Sequence, residues 1–119
     1  MKKPSSLELG PLPTGTIEAT LGIELESGKV VFTVSSQKHC RSSHSSDFLR
    51  CLPHVGSVVS NPMYLGDDFK NHGKIELISR IAAIGEGLLV AVEITRDPTG
   101  CYRIASMYPV SQAKIDSRR

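Results

Sequence analysis

The sequence predicts one domain of the α+β class, in which an N-terminal β-hairpin and short helices pack on a C-terminal antiparallel four-stranded sheet. Three observations predict it. Apolar and polar residues alternate near the N-terminus, serine-rich and proline-bounded segments follow, and β-branched runs separated by turn residues fill the C-terminal half. The 119 residues, of which 39% are hydrophobic, are enough for one modest core.

The charge balance is mildly basic, with a net charge of +2, which permits nucleic-acid binding without requiring it. The cysteines Cys40, Cys51 and Cys101 form an odd set without a CxxC pair, so a reducing compartment is expected rather than a disulfide framework. No apolar run has the length of a secretion signal or a membrane span. We therefore expect a cytoplasmic protein without a membrane partner, or a domain delivered into a target cell as part of a larger protein.

The N-terminal part is predicted as a lead-in followed by a hairpin. Residues 1–15 are rich in proline and glycine, which favours an extended lead-in or linker, and residues 16–119 are predicted to form a single domain. Apolar residues alternate with polar ones over residues 17–25, which is the period of a half-buried strand. A turn then leads into the apolar run of residues 30–34, so the two runs are predicted to pair as a hairpin.

Short helices are predicted in the middle of the chain. Serines between residues 35 and 46 offer N-caps for helices around a histidine segment and ahead of residues 47–52. Pro53 disfavours helical backbone at the residue before it and suits a first helical position, which predicts a break and a second helix over residues 53–59. The Asn61-Pro62 pair then ends the helical part.

The C-terminal half is predicted as an antiparallel meander. β-branched and aromatic runs over residues 74–81, 88–95 and 101–110 are separated by glycine-rich and Asp-Pro turns. Residues 63–65 are a candidate leading strand. These runs account for the predicted four strands of the sheet.

The last hairpin of this meander is predicted to have one apolar and one polar face. A four-residue turn from Asp97 to Gly100 would place Ala91 opposite Ser106. The apolar face, expected to lie under the helices, carries Ile94, Val92, Val90, Ala105 and Met107. The polar face, where we expect a site, carries Thr95, Glu93, Tyr102, Ser106 and Tyr108.

Several short motifs, taken in order along roughly residues 28–119, resemble those of a known family. They are Lys38-His39 and His44, Leu52-Pro53, Asn61-Pro62, the tract from Tyr102 to Val110, and Lys114-Ile115. This order is similar to that of the phage-associated nuclease domains of the barnase, EndoU, colicin and RelE superfamily. The resemblance implies a metal-independent ribonuclease fold, often found as the toxin tip of a larger phage or polymorphic-toxin protein.

The resemblance also implies a site divided between the helices and the last strand. The family's helical basic or histidine site falls on His39 or His44. Its hydroxyl or aromatic site falls on Ser106 or Tyr108. The usual order of glutamate, arginine and histidine in barnase-like members does not occur here, so the division of catalytic roles stays open.

The candidate residues are those whose chemistry suits RNA cleavage without a metal ion. That reaction needs a base for the 2′-hydroxyl proton, an acid for the leaving 5′-oxygen, and cations around the phosphorane, roles that histidine, arginine and lysine suit. The predicted catalytic residues are His39, His44, Ser106 and Glu93. The predicted substrate-binding residues are Lys38, Arg80, Tyr102, Tyr108 and Lys114, and Arg103 is a further available cation. We expect the early helices and the last strand to converge around one phosphate-sized pocket.

The predicted function is that of a toxin-type endoribonuclease that cleaves RNA by transesterification through the 2′-hydroxyl, with no cofactor and no metal. Its partners would be the RNA substrate and an immunity protein or antitoxin, whose acidic surface would complement the basic segment. The alternative is a noncatalytic RNA-binding or protein-interaction module, in which the histidines are incidental.

Some candidates also have a purely structural explanation. His39 and His44 can be helix-capping or solvent-facing side chains. Glu93 can be a surface carboxylate paired with Arg80 or Lys74. Ser106 and Tyr102 can be plain strand residues.

A zinc site is a rival interpretation of the cysteines and histidines. Its ligands would come from Cys40-x3-His44 and Cys51-x2-His54. The spacing is irregular and Pro53 splits the second pair, so free buried cysteines and unrelated histidines explain the pattern more simply.

Overall fold

The computed structural model of the protein describes residues 5–43, 45–67 and 73–117. Within these ranges the strands are Leu7–Pro11 (β1), Lys29–Phe32 (β2), Tyr64–Asp67 (β3), Lys74–Ile81 (β4), Glu86–Glu93 (β5) and Tyr102–Val110 (β6). The α-helices are Thr14–Leu21 (α1), Val34–Ser43 (α2), Ser45–Cys51 (α3), Val55–Ser60 (α4) and Gln112–Ser117 (α5). Short 3₁₀ turns occupy Leu52–His54 and Ala82–Ile84. No helix in the described ranges is long and apolar enough to cross a membrane.

The described strands form one mixed sheet in the order β1-β2-β6-β5-β4-β3. Strands β3 to β6 are the antiparallel meander that the sequence predicts. Strand β2 joins the other side of β6 in parallel, and β1 pairs antiparallel with β2. The α+β class is confirmed, but the sheet has six strands rather than four. In the larger sheet the β2 side chains of Val30 and Phe32 are completely buried. The burial of this apolar surface stabilises the sheet that includes β2.

Helices α2, α3 and α4 cover one side of the sheet, called here the helical face. Their buried side chains form one core with the strand residues that point to that side. The helix residues are Cys40, Phe48, Cys51, Val55, Val58 and Val59, and the sheet residues include Val30, Phe32, Ile75, Leu77, Leu88, Val90, Val92, Ile104 and Met107. The predicted helices are present, and a 3₁₀ turn at Leu52–His54 lies where the sequence predicts a break.

The predicted strand over residues 17–25 is wrong, because Thr14–Leu21 form helix α1. Ile17 and Leu21 are four residues apart, so they share one side of a helix as well as one side of a strand. Gly22, with φ of 71°, then ends the helix in the left-handed conformation. The predicted hairpin is therefore replaced by the pairing of β1 with β2.

Part of the predicted lead-in belongs to the sheet. Leu7–Pro11 are extended, as expected, but they pair with β2 and do not act as a linker. Leu12 is buried, and its N–H donates to the Gly28 carbonyl over 2.9 Å. The sheet thus includes chain from before the predicted boundary at residue 15.

A β-bulge at Ala105 changes which side chains of β6 share a face. Ala91 pairs with Ser106 as predicted, but Val92 pairs with Ile104, so Ala105 is the extra residue. Side chains before the bulge therefore point to the side opposite the predicted one. Tyr102 belongs to the core of the helical face, and Ala105 packs on the other side of the sheet.

Candidate functional site

The side of the β3–β6 meander that faces away from α2, α3 and α4, called here the open face, carries many polar side chains. They occupy the positions that alternate with the core residues of each strand. They are Tyr64 on β3, Lys74, Glu76 and Arg80 on β4, Glu93 on β5, and Arg103, Ser106 and Tyr108 on β6. The structure thus brings Glu93, Ser106, Tyr108 and Arg80, four of the predicted site residues, to one surface.

At one end of the open face, a carboxylate lies beside two cations. Nη2 of Arg103 lies 3.3 Å from Oε2 of Glu93, and Lys74 is paired with Glu93 across β4 and β5. The side chains of Glu93 and Arg103 are 36% and 49% exposed, so water and a polyanion can reach both. Among the described residues, the ion pair of Glu93 is with Arg103 rather than with Arg80 or Lys74.

The middle of the open face has a floor of small residues beside a carboxylate. Glu76 is paired with Gly66 on one side and with Ala91 on the other, and Ala91 is paired with Ser106. A Cβ at Gly66 would lie 3.4 Å from Oε1 of Glu76, so this carboxylate lies over the glycine. Glu76 is 7% exposed, a degree of burial that is unusual for a carboxylate. Ala91, in the middle of this row, is also buried.

Two tyrosines lie on the other side of this floor. Tyr64 is paired with Ile78, Ile78 with Leu89, and Leu89 with Tyr108, so the four side chains form a row across the open face. Both tyrosines are half-buried against apolar neighbours. The Tyr64 hydroxyl lies 3.5 Å from Nη2 of Arg80. Rings of this kind can stack on a base while their hydroxyls contact phosphate.

Helix α5 closes the far end of the open face. Ile115 packs against Val110, and a Cβ at Gly87 would lie only 2.7 Å from Cδ1 of Ile115. The absence of a side chain at Gly87 is therefore what allows α5 to pack this closely. The predicted substrate-binding residue Lys114 is exposed and precedes Ile115 on this helix.

The predicted helical half of the site lies on the other side of the sheet. His39 and Lys38 are exposed on α2, and Cys40 of the same helix packs into the core of the helical face. The sheet separates these two side chains from Ser106 on the open face. His44 lies outside the described residues. The structure does not bring His39 together with the last strand's hydroxyls, and its catalytic role stays a prediction.

Tyr102, which the sequence places on the polar face, is 1% exposed on the helical face. Its hydroxyl donates to the backbone carbonyl of Glu26, and burial raises the pKa of the phenol. The bulge at Ala105 is the reason for this change of side. Tyr102 therefore attaches the segment before β2 to the sheet, and its expected place on the polar face is corrected.

The described residues do not form the rival zinc site. Cys40 and Cys51 are free and buried, and burial raises the pKa of both thiols, which disfavours the thiolate form that binds metal. No three histidine, cysteine, aspartate or glutamate side chains of the described ranges are grouped so as to hold a metal ion. His44, the remaining residue of the first proposed pair, lies outside those ranges.

Three open-face residues are missing from the predicted site: Tyr64, Lys74 and Glu76. The alternation along β4 carries a signal for two of them, since Lys74 and Glu76 alternate with the buried residues Ile75 and Leu77. Arg103 is predicted only as an available cation. Its place beside Glu93 depends on the bulge, which the sequence does not reveal.

Comparison with known families gives one match that covers nearly the whole chain. A family model described as phage-Barnase-EndoU-ColicinE5/D-RelE like nuclease3 matches residues 9–117. The match begins within β1 and ends with α5, so it includes the open face and the helical face. Comparisons with curated proteins and with solved structures give no match. The superfamily predicted from the sequence is confirmed, and a nuclease implies a nucleic-acid substrate. The chain therefore belongs to the phage-Barnase-EndoU-ColicinE5/D-RelE like nuclease3 family.

Proposed function

We propose that the protein is an endoribonuclease that cleaves RNA on its open face, without a metal ion, by attack of a 2′-hydroxyl on the adjacent phosphate. The observation that carries the proposal is the exposed Glu93–Arg103 ion pair on the open face, where Lys74 is the cross-strand partner of Glu93. Such a pair supplies a proton acceptor and a phosphate-binding cation side by side. Membership of a nuclease family supplies the class of substrate.

Glu93 is the proposed general base. Its carboxylate takes the proton of the 2′-hydroxyl, the 2′-oxygen bonds to phosphorus to give a cyclic phosphate, and the bond from phosphorus to the 5′-oxygen breaks. The contact of 3.3 Å with Arg103 orients one carboxylate oxygen, while the partial exposure leaves the carboxylate open to the substrate. A positioned base of this kind contributes about 10²–10⁴-fold to the rate.

Arg103 and Lys74 are the proposed ligands of the scissile phosphate. Negative charge grows on the nonbridging oxygens during the reaction, and a guanidinium can contact two of them at once. The hydroxyls of Ser106 and Tyr108 are proposed as further donors on the same face. Since alternate residues of a strand are roughly 6.7 Å apart, the Ser106 row lies one such step from the row of Glu93 and Lys74, and the Tyr108 row lies two steps from it.

The acid that protonates the leaving 5′-oxygen is proposed to be a histidine or Tyr108. His39 is exposed on the helical face, and His44 lies outside the described residues. Tyr108 is half-buried on the open face. Variants of each residue separate the three assignments.

The decisive test is chemical. Purified protein is incubated in EDTA with an RNA oligonucleotide and with the same sequence carrying 2′-deoxyribose throughout. We expect cleavage of the RNA, products that end in a 2′,3′-cyclic phosphate, and no cleavage of the deoxy oligonucleotide. Cleavage of the deoxy oligonucleotide, or loss of all activity in the chelator, contradicts the mechanism. Binding of RNA without cleavage supports the noncatalytic alternative.

The toxin role and its partner are a second part of the proposal, supported by the names colicin and RelE in the family description. An acidic immunity protein or antitoxin that covers the open face would meet Lys74, Arg80 and Arg103. Expression in a bacterial host should arrest growth for the wild type and not for Glu93→Gln. Co-purification from the native operon tests whether a neighbouring acidic protein binds the nuclease.

A further inference from the structure

The outer surface of helix α2 carries cations that the proposed cleavage centre does not use. Lys38, His39 and Arg41 are exposed on this helix. Residues 27–46, which include the helix, contain no aspartate or glutamate. Clustered cations without intervening carboxylates create a positive potential that attracts polyanions. Because the substrate of a nuclease is a polyanion, this surface is a candidate contact for it.

Two of these cations flank a small notch in the surface of the protein. Lys38 and Arg41 are three residues apart on α2, so their side chains lie on the same side of the helix. Together with Gln37 and Phe48 they line the notch, whose volume is about 20 Å³. This is enough room for one group of the size of a water molecule. The notch can therefore receive one nonbridging oxygen of a phosphate between an ammonium and a guanidinium.

The walls of the notch are held in place by buried contacts. Gln37 is buried, and its Nε2 donates to the backbone carbonyls of Ser5 and Phe32 over 2.8 and 2.9 Å. Phe48 belongs to the core of the helical face, and Cζ of Arg41 lies 5.3 Å from the centroid of its ring. The ring attracts the flat side of the guanidinium, while the N–H donors at the edge of the guanidinium stay available for an anion. Little side-chain freedom is then lost when a phosphate binds.

Lys38 and Arg41 form no ion pair with a carboxylate of the described residues. The arginines of α3, of the β5–β6 connection and of β6 each form one, and these are Arg50, Arg96 and Arg103. A cation without a carboxylate partner can bind a phosphate without first breaking an ion pair. The notch on α2 is therefore better suited to bind an anion than the paired arginines are.

We propose that Lys38 and Arg41 form a second contact for the sugar–phosphate backbone of the RNA, outside the cleavage centre. The inference rests on the proposed function and extends it to the class of substrate. The sheet lies between α2 and the open face, and the shortest dimension of the molecule is 24 Å. Only an RNA that continues well beyond the scissile phosphate can reach both surfaces. Because phosphate contacts do not read bases, the site raises the affinity for long RNA of any sequence and leaves the cleavage step unchanged.

The test measures binding apart from cleavage. A long single-stranded 2′-deoxy oligonucleotide lacks the attacking hydroxyl, and its dissociation constant is measured by fluorescence anisotropy over a series of salt concentrations. For Lys38→Gln/Arg41→Gln we expect roughly tenfold weaker binding, as for the loss of one charge-assisted phosphate contact. The slope of log K against log salt should fall by roughly 0.7, the value for one phosphate of a single strand. Both kcat and KM for a ribonucleotide trimer should stay at the wild-type values.

The matched control is Lys29→Gln/Arg96→Gln, which removes the same two charges from side chains that pair with Glu8 and Glu26. It should bind the long oligonucleotide within about twofold of the wild type, because exposed charges away from the contact are largely screened by salt. An equal loss of affinity in the two double variants would mean that net charge alone attracts the oligonucleotide. That result would overturn the site.

Lys38→Gln alone should show part of the loss of affinity, and it keeps the contact of Arg41 with Phe48 that packs the notch. Wild-type affinity in both Lys38→Gln and the double variant overturns the site. A lower kcat for the trimer also overturns it, because the two cations would then belong to the cleavage centre. Failure of the proposed function has a different signature, in which the wild type cuts no RNA although its affinity for the long oligonucleotide still depends on Lys38.

Discussion

Oε2 of Glu93 lies 3.3 Å from Nη2 of Arg103 across the β5–β6 pair. The bulge at Ala105 makes this contact possible, because without it Arg103 would share a face with Met107 in the core. A local irregularity of the last strand therefore places a guanidinium beside a carboxylate on the open face. Bulges are common next to active sites for this reason.

Glu93→Gln should lower the rate of RNA cleavage roughly 100-fold or more while leaving the fold intact, because the amide cannot accept the 2′-hydroxyl proton. An exposed ion pair contributes only about 0–1 kcal/mol to the free energy of unfolding. The matched control is Glu26→Gln, which removes another exposed carboxylate that pairs with an arginine, Arg96. Initial rates on one RNA oligonucleotide and urea unfolding measure the two effects. Equal rates for the two variants would remove Glu93 from the mechanism.

The histidine assignments are separated by two variants. Because His39 is exposed on the helical face, a reaction confined to the open face predicts that His39→Ala keeps the wild-type rate within about twofold. Loss of activity in His44→Ala alone would assign the leaving-group acid to that residue. Loss in His39→Ala would show that the helical face takes part in the reaction. His54→Ala, in the 3₁₀ turn after α3, is the control for removal of an imidazole.

The sequence predicts the meander and the helix break well because short-range chemistry determines them. β-branched runs and turn residues place β4 and β6, and Pro53 places the break after α3. These features depend on neighbours in the chain, so one sequence is enough to find them.

The errors come from features that depend on tertiary packing. Ile17 and Leu21 satisfy the helical period and the strand period together, and contacts elsewhere select the helix. The alternation of side chains along the β6 sequence gives no sign of the bulge at Ala105, although the bulge moves Tyr102 into the core. His39 is separated from the hydroxyls of the last strand because α2 covers the helical face of the sheet. The residues of α2 alone do not determine which side of the sheet the helix covers.

The three thiols should differ in reactivity. Burial raises the pKa of Cys40 and of Cys51, so both thiolate formation and access are disfavoured. Cys101 is only half-buried, beside the β5–β6 turn. With Ellman's reagent at neutral pH we expect one thiol to react quickly, two to react slowly, and all three to react at once in denaturant. Cys101→Ser should remove the quick phase. A quick phase that persists in this variant would show that a core thiol is accessible.

Asp97 should make the stability of the β5–β6 hairpin depend on pH. Its Oδ1 accepts hydrogen bonds from the Thr99 hydroxyl, the Thr99 N–H and the Cys101 N–H at 2.6, 2.9 and 3.0 Å. The side-chain hydrogen bond from Thr99, followed by the backbone bond from Cys101, lowers the pKa of this carboxyl. Ionised Asp97 therefore stabilises the fold at pH values above the pKa that its carboxyl has in the unfolded chain. That contribution is lost as the pH falls through the lower pKa that the carboxyl has in the folded protein.

The measurement is the difference in free energy of unfolding between the wild type and Asp97→Ala at neutral and at acid pH. We expect a loss of stability at neutral pH that shrinks in acid. Asp97→Asn, which keeps an acceptor oxygen, should lose less stability than Asp97→Ala at neutral pH. In acid its free energy of unfolding should approach that of the wild type. A difference that does not change with pH would mean that the charge of Asp97 plays no part in the turn.

Gly28→Ala should destabilise the protein, because the segment before β2 approaches the β5–β6 hairpin too closely for a side chain. A Cβ at Gly28 would lie 2.6 Å from the backbone oxygen of Gly100 and 3.0 Å from the Tyr102 ring. Backbone cannot give way as a flexible side chain can, so we expect a cost of about 1–3 kcal/mol. Gly15→Ala is the matched control, since nothing lies within 4 Å of that position in α1 and alanine favours a helix by up to about 1 kcal/mol. Urea unfolding should therefore move the two variants in opposite directions. Equal stability of Gly28→Ala and the wild type would contradict the close approach of this segment to Gly100 and Tyr102.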